Sequence, residues 1–207
     1  MTPTPTPRPR PAPARTGPRR ADAERSRVAV LEAAIKLLGE RPDVGMAAIA
    51  AAAGVTRQTV YAHFASRDAL LSAVVDRLTD RTMAAMDAAE IDEGPAADAL
   101  LRLLDAGWRT FAEHPFLLDI STHPAAREED RARHEPVVER YARLIRRGRE
   151  SGEFDTGMPV DWLVAATVAL GHAAGEEAAS GRMPPERAAE VLRKSVLRVL
   201  GAGGAAG

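Results

Sequence analysis

The chain contains no cysteine. That excludes disulfides, thiol nucleophiles and Cys-type zinc sites, and it fits a reducing cytoplasm. Aromatic residues make up only 4% of the 207 positions, so a cavity walled by Ala, Leu and Val is expected before an aromatic cage. No apolar run approaches the ~20 residues that a membrane span needs. The first residues lack the apolar centre of a signal peptide. Formal net charge is −1, which leaves no basic surface spread over the whole chain; any such surface must be local. Lysine stands only at positions 36 and 194 while arginine is abundant, a bias read as GC-rich coding. Catalytic signatures are missing as well: there is no Gly-x-Ser-x-Gly, no phosphate loop and no dinucleotide fingerprint. The histidines at 63, 114, 123, 134 and 172 show no metal-ligand spacing. No metal, no cofactor and no enzymatic activity are expected.

What is present is ordinary for a globular protein, with 45% hydrophobic and 28% charged residues. Apolar residues recur at helical spacing throughout, which predicts an all-α chain. Residues 1–20 form a Pro-, Thr- and Arg-rich arm with almost nothing to bury, and are expected to be disordered. Its arginines, Arg8, Arg10, Arg15, Arg19 and Arg20, fit either an arm that touches phosphate or a solubilising tail. Residues 22–39 read as a helix with Val28, Leu31, Ile35 and Leu38 on one face, stopped before Pro42. Arg25 and Arg27 near its start fit either a phosphate contact or a solvated face.

Residues 49–64 organise the rest. An Ala-rich helix ends at Gly54, where glycine takes a left-handed backbone without steric cost. Thr56 then caps a second helix. Ile49, Ala53, Val55, Val60 and Phe64 make the seam between the helices, and the small Ala50 lets them approach. This is the plan of a helix-turn-helix, whose second helix enters the DNA major groove. Arg57, Gln58, Thr59, Tyr61 and His63 are left facing outward, each able to donate to bases or phosphates. The plain alternative is a polar-faced helical hairpin with no DNA role.

Ile49-Ala50, Ala53-Gly54-Val55-Thr56, Thr59-Val60-Tyr61-Ala62-His63-Phe64 and Ser66-Arg67-Asp68-Ala69-Leu70-Leu71 together resemble the signature of TetR-type bacterial transcriptional repressors. The resemblance runs from about residue 25 to 71; beyond that it is one of length and helical plan. It implies a homodimer that binds double-stranded operator DNA and is released by a small-molecule effector. By the same match Thr56 and Arg67 join the DNA-contacting set. The family often has Thr where Gly45 stands, and glycine offers a cap without the hydroxyl.

A helix capped by Ser66 is expected to run to about residue 89 as a lever from the head into a second domain. Further helices follow Gly94-Pro95, cover 137–152, open at Pro159 taken as the first helical position, and follow Pro184-Pro185. Phe116, Leu117, Leu118 and Ile120 make a short apolar element closed by His123-Pro124, and residues 127–135 are a charge run. The last two helices fit a four-helix dimer interface, with Ala169 and Leu192 as test positions. Met86, Leu104, Trp108, Phe111, His114, Phe116, Trp162 and His172 are the candidate effector pocket, each singly more at home as core. The expected domains are an arm at 1–20, a DNA-binding head at 21–68, a regulatory and dimerisation domain at 69–201 and a tail at 202–207. A rival reading is a helical enzyme or ligand carrier that retains a non-functional hairpin. A third is a repressor-like protein controlled by a partner protein.

Overall fold

The structure, a computed structural model, describes residues 17–117 and 127–202. The arm at 1–16, the expected stop at His123-Pro124 and the tail at 203–207 lie outside the described residues. Among the described residues there are eight helices and no strand: α1 Gly17–Glu40, α2 Met46–Ala52, α3 Arg57–His63, α4 Arg67–Asp87, α5 Ala96–Glu113, α6 Arg127–Glu150, α7 Val160–Ala179 and α8 Pro185–Val199. The all-α expectation holds.

Helices α1, α2 and α3 close around Leu31, Ile35, Leu38, Ile49 and Val60. The same core takes in Leu70, Val74 and Leu78 from α4, together with Phe116 and Leu117. The head core therefore does not stop at residue 68. The apolar periodicity of α4 is continuous, and its first three turns belong to the head. A second core gathers Leu100, Leu103, Leu144, Ile145, Leu163 and Val196 from α5, α6, α7 and α8. Met86, near the far end of α4, belongs to it.

Several boundaries differ from expectation. α1 begins at Gly17, not at residue 22, so residues 17–20, expected in the disordered arm, are helical. Proline is tolerated in a first helical turn and the Ala/Arg/Glu sequence that follows favours helix. Pro159 is the cap of α7 and not its first helical residue, a one-residue difference of the kind that fraying ends produce. Leu192 is 4% exposed and sits in the protomer's own core. A charge there would break the fold, so it cannot serve as an interface probe.

A carboxylate from outside α5 caps that helix. Pro95 precedes α5 and offers no side-chain cap. Glu153, in the turn after α6, accepts from the backbone amides of Ala96 at 2.9 Å and Ala97 at 3.0 Å. Those amide bonds hold the Glu153 carboxyl below its usual value of 4.5. A lowered folded-state value means stability that is present above about 4.5 and lost as pH falls through the depressed value. Glu153→Ala is expected to cost ~1 kcal/mol at neutral pH, as for other lost caps. Urea denaturation should show the difference from wild type shrinking as pH falls below 4.5.

Candidate nucleic-acid interface and the cavity behind it

Local chemistry builds the second helix of the motif. Gly54 takes φ +66°, the left-handed turn that ends α2. The Thr56 hydroxyl accepts from the Thr59 amide at 3.1 Å and lies 2.8 Å from the Thr59 hydroxyl. Both hydroxyls are thus engaged in capping before any DNA arrives. Gly45 caps α2 with extended backbone and no side-chain bond. On the seam, Ile49, Ala50, Val60 and Phe64 are buried, while Ala53 and Val55 are half-buried against them.

The exposed side chains of α3 are Arg57, Gln58, Tyr61 and the small Ala62. The Arg57 guanidinium lies over the Tyr61 ring, 5.4 Å from its centroid, and reaches the Tyr61 hydroxyl at 3.4 Å. This stack presents a cation and a phenol as one surface unit. His63 departs from the outward-facing set. It is half-buried, and its Nε2 lies 2.6 Å from the Ser26 hydroxyl on α1. The reason is helical register: His63 ends α3 on the side that meets α1. Arg67 donates to the Pro42 carbonyl at 2.8 Å and so braces the α1–α2 connection. Arg25 pairs with Asp22, and Arg27 stacks on Phe64 at 5.5 Å.

Behind the head lies a cavity of about 800 Å³. Its walls come from the C-terminal turn of α1, from α4, α5, α6, α7 and α8, and from residues 115–117. Met86, Leu104, Trp108, Phe111, Phe116 and His172 all line it. His172 meets Phe111 edge-on at 6.1 Å. Two of the residues named from sequence lie elsewhere. Trp162 is 61% exposed on the outer face of α7, because helical spacing puts it opposite Leu163, Val164 and Thr167, which are buried. His114 lies outside the lining, its ring 5.8 Å from Phe116; burial lowers its pKa. Tyr141 and Thr167 line the cavity and were missed from sequence. Tyr141 falls at core spacing with Val137, Leu144 and Ile145 and so reads as packing; the signal was a phenol on a buried face, which needs a partner.

The cavity reaches the head itself. Leu38, Gly39 and Pro42 are lining residues, and Pro42 is the residue whose carbonyl Arg67 holds. Between α1 and α4, Glu32 accepts from Arg81 at 2.6 and 2.7 Å. That bond holds the Glu32 carboxyl below its usual value.

Residues 30–74 match the model of the family described as "Bacterial regulatory proteins, tetR family". The head of this chain is thus a TetR-type DNA-binding domain. The HTH-type transcriptional repressor LfrR of Mycolicibacterium smegmatis is 39% identical over 83 residues, 40% of this chain. That match spans 44% of the LfrR length, less than half. The structure of LfrR from Mycobacterium smegmatis in complex with proflavine superposes with a TM-score of 0.67 at 29% identity, covering 84% of this chain and 96% of that one. The fold is also that of the regulator PfmR from Thermus thermophilus, with a TM-score of 0.64 at 24% identity over 84% of this chain and 98% of that one.

The capping geometry of this TetR-type head separates two neighbouring side chains. Thr56→Ala should cost ~1 kcal/mol in chemical denaturation, because the Thr59 amide loses its acceptor. Gln58→Ala, on an exposed side chain, should stay within ~0.5 kcal/mol of wild type.

Proposed function

We propose that the protein is a homodimeric, ligand-responsive repressor that binds a pseudo-palindromic operator and releases it when a small molecule occupies the cavity. The observation that carries this reading is the shared wall. A cavity lined by Leu38, Gly39 and Pro42 of the head is one whose filling pushes directly on the element that positions α3. LfrR with bound proflavine supports a small-molecule effector for this relative too. The first turn of a recognition helix is the part that reaches base edges. Arg57 and Gln58 stand there and read bases, while Tyr61 and Arg67 hold phosphate. Thr56 and Thr59 act by capping, with their backbone turn near the phosphates. His63 steadies α3 on α1. The protein works in the cytoplasm, where its DNA is, and performs no catalysis.

The outer face of α7 supports dimerisation. Trp162, Ala165, Ala169 and Ala173 are exposed at helical spacing on one side of it. A large aromatic beside a row of small residues suits close packing of a symmetry-related copy.

The test is a gel shift with DNA from upstream of the protein's own coding sequence. Arg57→Ala or Gln58→Ala should weaken specific binding by ~1–3 kcal/mol and relax sequence preference. Equal loss on specific and random DNA would make either residue a phosphate contact only. Arg67→Ala should weaken binding to all sequences and reduce the salt slope by about one unit. Light scattering should find a dimer in the wild type and a monomer in Ala169→Glu; a monomeric wild type at micromolar concentration would defeat the dimer.

A further inference from the structure

The polar groups of the cavity are not alike. The Thr82 hydroxyl donates to the Leu78 carbonyl at 2.9 Å and is also paired with Thr110. The Thr167 hydroxyl donates to the Leu163 carbonyl at 2.8 Å. The Ser180 hydroxyl donates to the Glu176 carbonyl at 2.7 Å. Each has a partner in its own or a neighbouring helix. Tyr141 differs from these three. It is 6% exposed, packed within the second core from the middle of α6, and it lines the cavity. Its hydroxyl has no hydrogen-bond partner among the described residues. A phenol set in an apolar wall leaves its hydroxyl available to whatever fills the cavity.

Gly107 on α5 leaves the approach to that hydroxyl open. A Cβ at Gly107 would stand 3.9 Å from the Tyr141 oxygen and 3.0 Å from the Met86 methyl. The glycine thus keeps a narrow gap between α5 and α6 clear. Burial pushes the phenol's pKa upward, so it stays protonated and able to donate. Around it the walls are flat or soft: Trp108, Phe111 and Met86. Among the described lining residues there is one carboxylate, Glu176, and neither lysine nor arginine. An anion entering here would meet neither lysine nor arginine among the described lining residues, and the apolar walls disfavour it.

Resting on the reading of the cavity as an effector site, we propose that Tyr141 is its polar anchor. The ligand is then an aromatic molecule of a few fused or linked rings, without an anionic group, whose nitrogen or oxygen pairs with the Tyr141 hydroxyl. Ring faces lie against Trp108 and Phe111, and the single directional bond fixes orientation, as is usual for apolar pockets with few polar groups. The sequence alone hides this role because Tyr141 sits at core spacing.

Two dyes that share one ring skeleton test the proposal on the full-length protein without DNA. N-phenylnaphthylamine is uncharged; anilinonaphthalene sulfonate adds an anionic group to the same rings. Fluorescence titration should show the uncharged amine binding about tenfold or more tightly than the sulfonate. Tyr141→Phe keeps the ring and removes only the hydroxyl. It should weaken the amine by roughly 2- to 10-fold, the range of one hydrogen bond. Its melting temperature should equal or exceed that of the wild type, because the hydroxyl makes no internal bond. A lowered melting temperature would mean that the hydroxyl is structural, and would overturn the proposal. So would unchanged amine affinity in Tyr141→Phe, equal binding of the two dyes, or no binding of the amine. The dye titration contains no DNA and the operator gel shift contains no dye, so this proposal and the regulator reading can fail separately.

Discussion

Everything in this molecule turns on α4 being shared between two hydrophobic cores. Leu70, Val74 and Leu78 are buried with the head, and Met86, two turns later, is buried with the second domain. A close-packed core does not deform continuously; it prefers one arrangement or another. A rigid helix clamped at both ends therefore transmits a choice made in one core to the other. The clamp is reinforced on the outside, where Arg81 on α4 binds the Glu32 carboxylate of α1. That pair is partly exposed on both sides and contributes little to stability by itself.

The same logic explains why the cavity sits where it does. It occupies the junction at which α4 passes from one core to the next, and its walls include Gly39 and Pro42 of the head. Arg67, at the start of α4, holds the Pro42 carbonyl. The chain of contacts from cavity wall to the start of α4 is thus two residues long. A ligand shifts such an equilibrium only by its difference in affinity for the two arrangements. On the proposed reading, a cavity whose walls belong to both cores is a place where that difference is easily large. Resemblance to a TetR-type fold does not by itself supply this; the shared wall does.

Much of the head was legible in the sequence because its determinants are local. Gly54, Thr56 and Ser66 act within a few residues of themselves, and the structure shows their turn and caps in place. The apolar faces of the long helices were equally readable from spacing. What spacing cannot give is the direction in which a helix faces once several neighbours compete for it. α7 is apolar nearly all round, so Trp162 was placed in the pocket from sequence; it points out instead. His63 was read as outward because the helix end looks polar, yet α1 covers it and Ser26 takes its ring. Phe116 and Leu117 read as part of a second domain by position and joined the head core by packing. Tyr141 looked like core and is core, but that its hydroxyl borders the cavity, with no partner among the described residues, is a property of three dimensions only.

If the cavity and the DNA-reading face are coupled, the coupling must run equally in both directions. The direct measurement is a titration of N-phenylnaphthylamine into the protein alone and into the protein saturated with its operator, beside an operator titration with and without the dye. The account predicts that operator DNA weakens dye binding by the same factor by which dye weakens operator binding. Identical dye affinity in the free and DNA-bound protein, with the dye shown to occupy the cavity, would contradict it.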